Sequence, residues 1–354
     1  MFKRLIVFAP FLFVLLLGQG CIKIQTGGSG SDGGVFKSVD KGINWAQKAI
    51  VLSTPARPQN IAGLNVNKLV IDPSDKDALY LATAGAGVFY SLDGGEGWLQ
   101  SRSLKSGDIY DVAVDPRNKC VIYAATANKL LKSTDCARTW GTVFVDSRSE
   151  VLVTRVVIDK TNASIVYLAA SNSLNGDIAK STDGGATWKP TGHWPGPIMK
   201  MVIDAVDPNK IYVATQLHGL QRTTNAGATW TDLSPKLDTF PGTRDFSDLV
   251  VDPSVGGTVY YVSIYGILKS TNSGESFEKL DLLTPPGSTR IYSFAVNPSN
   301  SAEIFYGTAT TFYKSKNDGR QWETKKLPTS RVAKAIVIDT TNPNVMYLVT
   351  YKVK

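Results

Sequence analysis

The chain has 354 residues, 43% of them hydrophobic, with a formal charge of +8, three cysteines and two histidines. That length allows two domains or one large closed array. The lysines and arginines are scattered, with no stacking-aromatic motif beside them, which argues against a nucleic-acid partner; two histidines on distant segments cannot assemble a His-rich zinc centre.

Residues 1–20 read as an export signal. Lys3 and Arg4 give a short cationic start, Leu5 to Leu17 is an apolar run broken only by Pro10, and Gly18-Gln19-Gly20 supplies small residues before Cys21. As a helix the apolar run would reach only about 20 Å, short of the ~30 Å hydrocarbon core of a bilayer. Residues 21–34 then form a Gly/Ser tether. Leu17-Gly-Gln-Gly-Cys21 resembles a bacterial lipoprotein signal, with leucine four residues before the cysteine where the usual pattern has three. The resemblance implies lipidation of Cys21 and an extracytoplasmic protein anchored to the bacterial cell membrane. The alternative is ordinary cleavage and secretion, with Cys21 a bystander.

From residue 35 onward one eight-residue figure organises the chain. Ser181-Thr-Asp-Gly-Gly-Ala-Thr-Trp188 has counterparts at Ser38–Trp45, Ser91–Trp98, Ser133–Trp140, Thr223–Trp230, Ser270–Phe277 and Ser315–Trp322. Six of the seven tryptophans occupy its last position, too regular for chance. Each copy reads as a strand end, a tight turn and a new strand. The third-position side chain (Asp40, Asp93, Asp135, Asp183, Asn225, Asn272, Asn317) accepts the turn's own N–H groups, and glycine permits positive φ. The last position (Trp45, Trp98, Trp140, Trp188, Trp230, Phe277, Trp322) packs a large apolar face against a neighbouring unit; Trp188 is expected to be a core residue.

A second figure precedes every turn but the first and recurs after the last. Asp72 is followed eight residues later by Tyr80, and Asp115–Tyr123, Asp159–Tyr167, Asp204–Tyr212, Asp252–Tyr260 and Asp339–Tyr347 repeat the interval; Asn297–Tyr306 is one longer. β-Branched runs surround both ends, as in Ile211-Tyr-Val-Ala-Thr215. Each unit is therefore four short strands every 42 to 53 residues, the period of a propeller blade. The N-terminus supplies a turn with no preceding Asp–Tyr half, and the C-terminus supplies that half with no turn. Six whole units and two complementary halves predict an all-β, seven-bladed β-propeller of four-stranded antiparallel blades over 35–354, its N- and C-terminal strands sharing one blade. Closure of that kind removes exposed sheet edges.

Cys120 and Cys136 flank a hairpin centred on Ala127-Asn128 that would bring them together. In an oxidising compartment a disulfide is open to them, as is the role of small buried free thiols.

The repeated figure resembles the Asp box of bacterial neuraminidase repeats. A seven-unit ring behind an export signal is similar to photosystem II stability/assembly factor-like proteins and, more distantly, to sortilin-type and xyloglucanase-type propellers. The resemblance places the box turns at the rim, away from the site face, so their carboxylates are expected to be structural. Copies drift: Ala137 replaces glycine, Asn225, Asn272 and Asn317 replace aspartate, Phe277 replaces tryptophan. Asn172 to Asp177 is read as a solvated loop lacking calcium-loop spacing. No Gly-x-Ser-x-Gly elbow or phosphate loop is present, nor is the Phe-Arg-Ile-Pro segment of sialidases. The loop acids Glu150, Asp238 and Asp245 have no evident catalytic pairing. Xyloglucanase-type enzymes use two propellers facing a cleft, against one here.

The remaining place for function is the face where loops enter each unit's first strand. Four residues before the Asp or Asn ending those strands stand Lys68, Asp111, Arg155, Lys200, Asp248, Ser293 and Ala335, with Tyr110, Arg290, Tyr292 and Lys334 beside them. A closed ring would bring them to the channel mouth as a mainly positive rim; the alternative is solvated strand ends. The reading that follows is a non-enzymatic, exported, membrane-anchored monomer binding protein or peptide partners, with no cofactor and no metal. The resemblance implies an assembly or stability factor for a membrane complex. The alternative is a carbohydrate-active propeller, hydrolytic or sugar-binding.

Overall fold

The computed structural model describes residues 31–52 and 60–353. The signal (1–20), Cys21 and the tether up to residue 30 lie outside the described residues. Among the described residues, twenty-eight strands form seven four-stranded antiparallel sheets. Blades one to six span 66–100, 109–145, 152–195, 198–232, 246–279 and 293–326, each ordered from its first, inner strand outward. Blade seven combines Val332–Ile338 and Met346–Tyr351 with the N-terminal Val35–Ser38 and Ala46–Gln47. Val35 pairs with Val349 and Ser38 with Met346, so the two ragged ends complete one sheet as the repeat count requires. Inner strands touch in sequence around the ring, Val332–Ile338 meeting Val66–Asp72 to close it. The only helix among the described residues is the single turn Ser234–Leu237.

The core lies between blades. Second strands such as Val166–Ser171 and Ile211–Thr215 are buried along their whole length, because a strand enclosed by its sheet and by both neighbouring blades has no polar face. The seven tyrosines of the Asp–Tyr figure are all in that layer and all but inaccessible. Several reach the next blade's turn. The Tyr123 hydroxyl donates to Gly184 O at 2.8 Å, Tyr167 to Ala226 O at 3.1 Å and Tyr347 to Gly94 O at 2.9 Å. Burial first, then nearby carboxylates, push the Tyr123 phenol up to about 12, so these hydroxyls remain donors at any ordinary pH.

A lysine assists three of these contacts. Lys132 donates to the same Gly184 carbonyl at 2.8 Å while lying 5.3 Å from the Tyr123 ring centre; Lys180 and Lys37 do likewise with Ala226 and Gly94. Each cation stands immediately before the turn's Ser. The signal was in the sequence, as Lys-Ser or Arg-Thr in six of seven copies, but a strand's penultimate residue has no assigned partner until the neighbouring blade is placed.

The seven turns share one hydrogen-bond plan. In blade three the Ser181 hydroxyl donates to Asp183 Oδ1 and accepts Gly185 N–H, both at 2.8 Å, while Asp183 Oδ1 accepts Thr187 N–H at 2.8 Å. Thr223, Asn225 and Thr229 repeat it with an amide oxygen. Because an amide oxygen accepts as a carboxylate does, Asp and Asn interchange. The fourth and fifth positions are left-handed throughout; blade two alone fills both with non-glycine residues, Cys136 (φ 60°) and Ala137 (φ 65°). The structure pairs Cys136 with Cys120, their Cα atoms 3.7 Å apart.

Three expectations need correction. The last-position aromatics are unequal: Trp98 has no exposed surface, whereas Trp188 is only half-buried, its indole N–H donating to Val143 O at 2.9 Å. Asn172 to Asp177 is not one loop, because Asn175–Ser181 is a strand; Asn172 Oδ1 accepts Leu174 and Asn175 N–H, and Asp177 pairs with Arg148 and His193. The end of the tether, residues 31–34, is docked: Ser31 donates to Ala62 O at 2.7 Å, Arg331 donates to Ser31 at 2.6 Å, and Asp32 accepts Ser330 N–H at 2.6 Å.

Candidate docking site at the channel mouth

Antiparallel winding sorts the connections onto two faces. One carries the repeated turns. The other carries the hairpins between second and third strands and the blade-to-blade connections, and the inner strands start there. Six inner strands carry a β-bulge near that start, with Asn67, Tyr110, Thr154, Met199, Ser247 and Lys334 as the inserted residues; blade six has none at this level. An extra residue re-aims its neighbours. The following residues then stand on one rung: Lys68 opposite Ala82, Asp111 opposite Ala125, Arg155 opposite Ala169, Lys200 opposite Ala214, Asp248 opposite Val262 and Ala335 opposite Val349, with Ser293 opposite Gly307.

This rung is wired from blade to blade. Lys68 meets Asp111 at 3.5 Å, and Asp111 also accepts Val112 N–H at 3.0 Å and Val156 N–H at 3.2 Å. Arg155 donates to Thr154 O at 2.6 Å and twice to Met199 O, once at 2.9 Å. Lys200 pairs with Asp248 at 2.9 Å, and Asp248 accepts Leu249 N–H at 2.9 Å. Four cations and two carboxylates leave the rung and its inserted Lys334 with a net charge of +2. Their fields cross the ring. The protein packed around the channel pushes Lys334 below the ordinary lysine range although its side chain keeps its access to solvent; Lys200 and Arg155 push it further, and Asp248 opposes them. For Lys68 the attraction of Asp111 is the largest influence, yet burial together with Lys200 and Arg155 carries it down overall.

Some expected members sit apart. Arg290 lies between blades five and six, 2.5 Å from Asp245 and 3.3 Å from the Ser247 hydroxyl, so its charge is matched. Tyr110 and Tyr292 are half-buried, Ser293 is buried and uncharged, and Ala335 offers no polar group. A cavity of about 410 Å3 opens on the same face against blade seven, lined by Ser31, Asp32, Ser330, Arg331, Val332, Lys352 and Val353. It is polar, unlike a typical small-molecule site. Among the described residues no cluster of His, Cys, Asp or Glu could hold a metal. Asp238 and Asp245 each face an arginine, and the carboxyls whose acidity is displaced, such as Asp146 beside Arg148, are all more acidic than usual.

No protein-family model matches this chain. A xyloglucanase from a Paenibacillus species is 24% identical over 259 residues, 66% of this chain and 21% of that protein. The chain spans about a fifth of the length of the curated relatives it matches. Among solved structures, the GH74 xyloglucanase from Xanthomonas campestris superposes with a TM-score of 0.62 at 16% identity, covering 87% of this chain and 52% of that one. YCF48 bound to a D1 peptide superposes with a TM-score of 0.61 at 14% identity, covering 82% and 94%. At such identities the likeness carries the fold alone.

Proposed function

We propose that this propeller is a non-enzymatic binding module, exported and anchored through Cys21, which docks an acidic segment of a protein partner on its channel-mouth face. The reading rests on one observation: the mouth gathers more cations than carboxylates, and each of its carboxylates already pairs with a lysine and accepts a backbone N–H. Carboxylates so engaged are already matched in charge, whereas the surplus positive charge suits an anionic partner. That a similar ring, YCF48, has been seen with a peptide is in keeping with it. An array of acidic and neutral peptides, probed with the protein and with an Arg155→Ala/Lys200→Ala/Lys334→Ala variant, tests the reading. Acidic peptides should be retained by the former and lost by the latter; equal retention by both would refute it.

The second reading, a carbohydrate-active propeller, is favoured by the xyloglucanases among the sequence relatives. Release of reducing sugar from xyloglucan, abolished by replacing a mouth carboxylate, would establish it in place of the first.

A further inference from the structure

Within the rung, charge compensation is uneven. Blades one and two cancel each other through Lys68 and Asp111, and blades four and five through Lys200 and Asp248. Blade six contributes Ser293, whose buried, uncharged hydroxyl lies beside Gly307 and has no hydrogen-bond partner among the described residues. Two cations remain without a carboxylate. Arg155 on blade three spends three N–H groups on the carbonyls of Thr154 and Met199 and has two to spare. Lys334, the inserted residue of blade seven's bulge, is exposed and makes no hydrogen bond or ion pair among the described residues. Blades three and seven are not neighbours, so only the shared channel lets these two charges act on each other.

We propose that the channel mouth is a carboxylate site in which Lys334 is the specificity-determining residue and Arg155 the second donor, a single carboxylate of the docked segment lying between them. This rests on the docking reading above and narrows it. Two like charges that act on each other across the channel mouth repel, and one anion between them relieves both at once. Lys334 supplies a point charge on a flexible stem and Arg155 a planar fork, so the site accepts a carboxylate without fixing its angle on both sides. The groups that face Lys334 from the other inner strands are Lys68, Asp111, Arg155, Lys200 and Asp248, with Ser293 uncharged. Of these Asp248 favours its charged form, while the surrounding protein, Lys200 and Arg155 disfavour it, and the balance is downward. Affinity should therefore fall as pH rises toward the lower part of the lysine range, and it should do so before an ordinary lysine would titrate.

The test uses the full chain and three hexapeptides: an acetylated, amidated glutamate-containing peptide, a Gly/Ser peptide with a free C-terminal carboxylate, and the same Gly/Ser peptide amidated. Binding is measured by calorimetry from pH 6.5 to 10.5. The glutamate peptide, the free-ended one, or both should bind and the fully neutral one should not, the pair of arms telling side chain from chain end. Lys334→Ala should weaken binding by about tenfold or more, as expected for loss of a charge-assisted hydrogen bond, with an unchanged melting temperature. Lys334→Arg should retain binding and move the alkaline loss to higher pH. Lys334→Ala binding like the parent, or parent affinity flat across that pH range, would overturn the site. Equal binding of the neutral peptide would overturn the carboxylate site and the preference for an acidic segment while leaving peptide docking at the mouth intact; failure of all three would remove the docking reading as well.

Discussion

The two faces of this ring are built from the same seven units and treat repetition in opposite ways. On the turn face each blade makes the same three hydrogen bonds, whether its third residue is Asp183 or Asn225. On the mouth face the equivalent rung reads Lys, Asp, Arg, Lys, Asp, Ser, Ala. A position whose job is folding tolerates only what satisfies the same backbone groups. A position free of that duty can differ in every blade, and here the differences sum to a net positive charge facing one channel.

Breaking the repeated side should cost stability and nothing else. The largest loss is expected for Trp98→Ala, because that indole is wholly buried and its N–H donates to Lys48 O at 2.9 Å across the closing interface with blade seven. We expect a loss of about 3–5 kcal/mol in denaturant unfolding, and a clearly smaller one for the half-buried Trp188→Ala. Equal losses would mean that the indoles are interchangeable.

Next in size is the link across blade two. Closing a loop of some fifteen residues stabilises by about 3 kcal/mol, and it pins the one turn with non-glycine residues at both left-handed positions. Unreduced, denatured protein should show no free thiol at Cys120 or Cys136; two would show that the bond is absent. Reduction should lower the melting temperature. A Cys120→Ser/Cys136→Gly variant should recover about 1–2 kcal/mol relative to the reduced protein, since glycine carries no left-handed penalty.

The smallest effect belongs to Asp183→Asn. The hydroxyl and N–H of Thr187 hold the Asp183 carboxyl down to about 2. A depressed carboxyl contributes stability above its ordinary value of about 4, and that contribution is lost as pH falls from there toward 2. The variant should fold normally at pH 7, as Asn225 does in its own turn, and lose less stability between pH 4 and 2. A steeper acid loss in the variant would contradict this role.

Most of the fold could be read in the chain because its signals are periodic. Seven turns, seven Asp–Tyr intervals and two half units dictate both blade number and closure. What resisted reading is not periodic. A bulge inserts one residue without changing composition, so nothing marks Tyr110 or Lys334 as extra until Asp111 is seen opposite Ala125 and Ala335 opposite Val349. Ion pairs across blades are invisible for the same reason: a mainly positive rim can be read from the positions of Lys68 and Lys200, but not that each meets an aspartate carried by the next blade. Arg290 was placed at the mouth by proximity in sequence, and its guanidinium turned instead to Asp245.

The contrast between the faces is tested most directly by measuring acidic-peptide affinity in two triple variants of equal melting temperature. One is Arg155→Ala/Lys200→Ala/Lys334→Ala at the mouth, and the other Asp40→Asn/Asp93→Asn/Asp183→Asn in the turns. Loss of affinity in the first with parental affinity in the second is the predicted result; parental affinity in the first, or loss confined to the second, would contradict the assignment of recognition to the mouth.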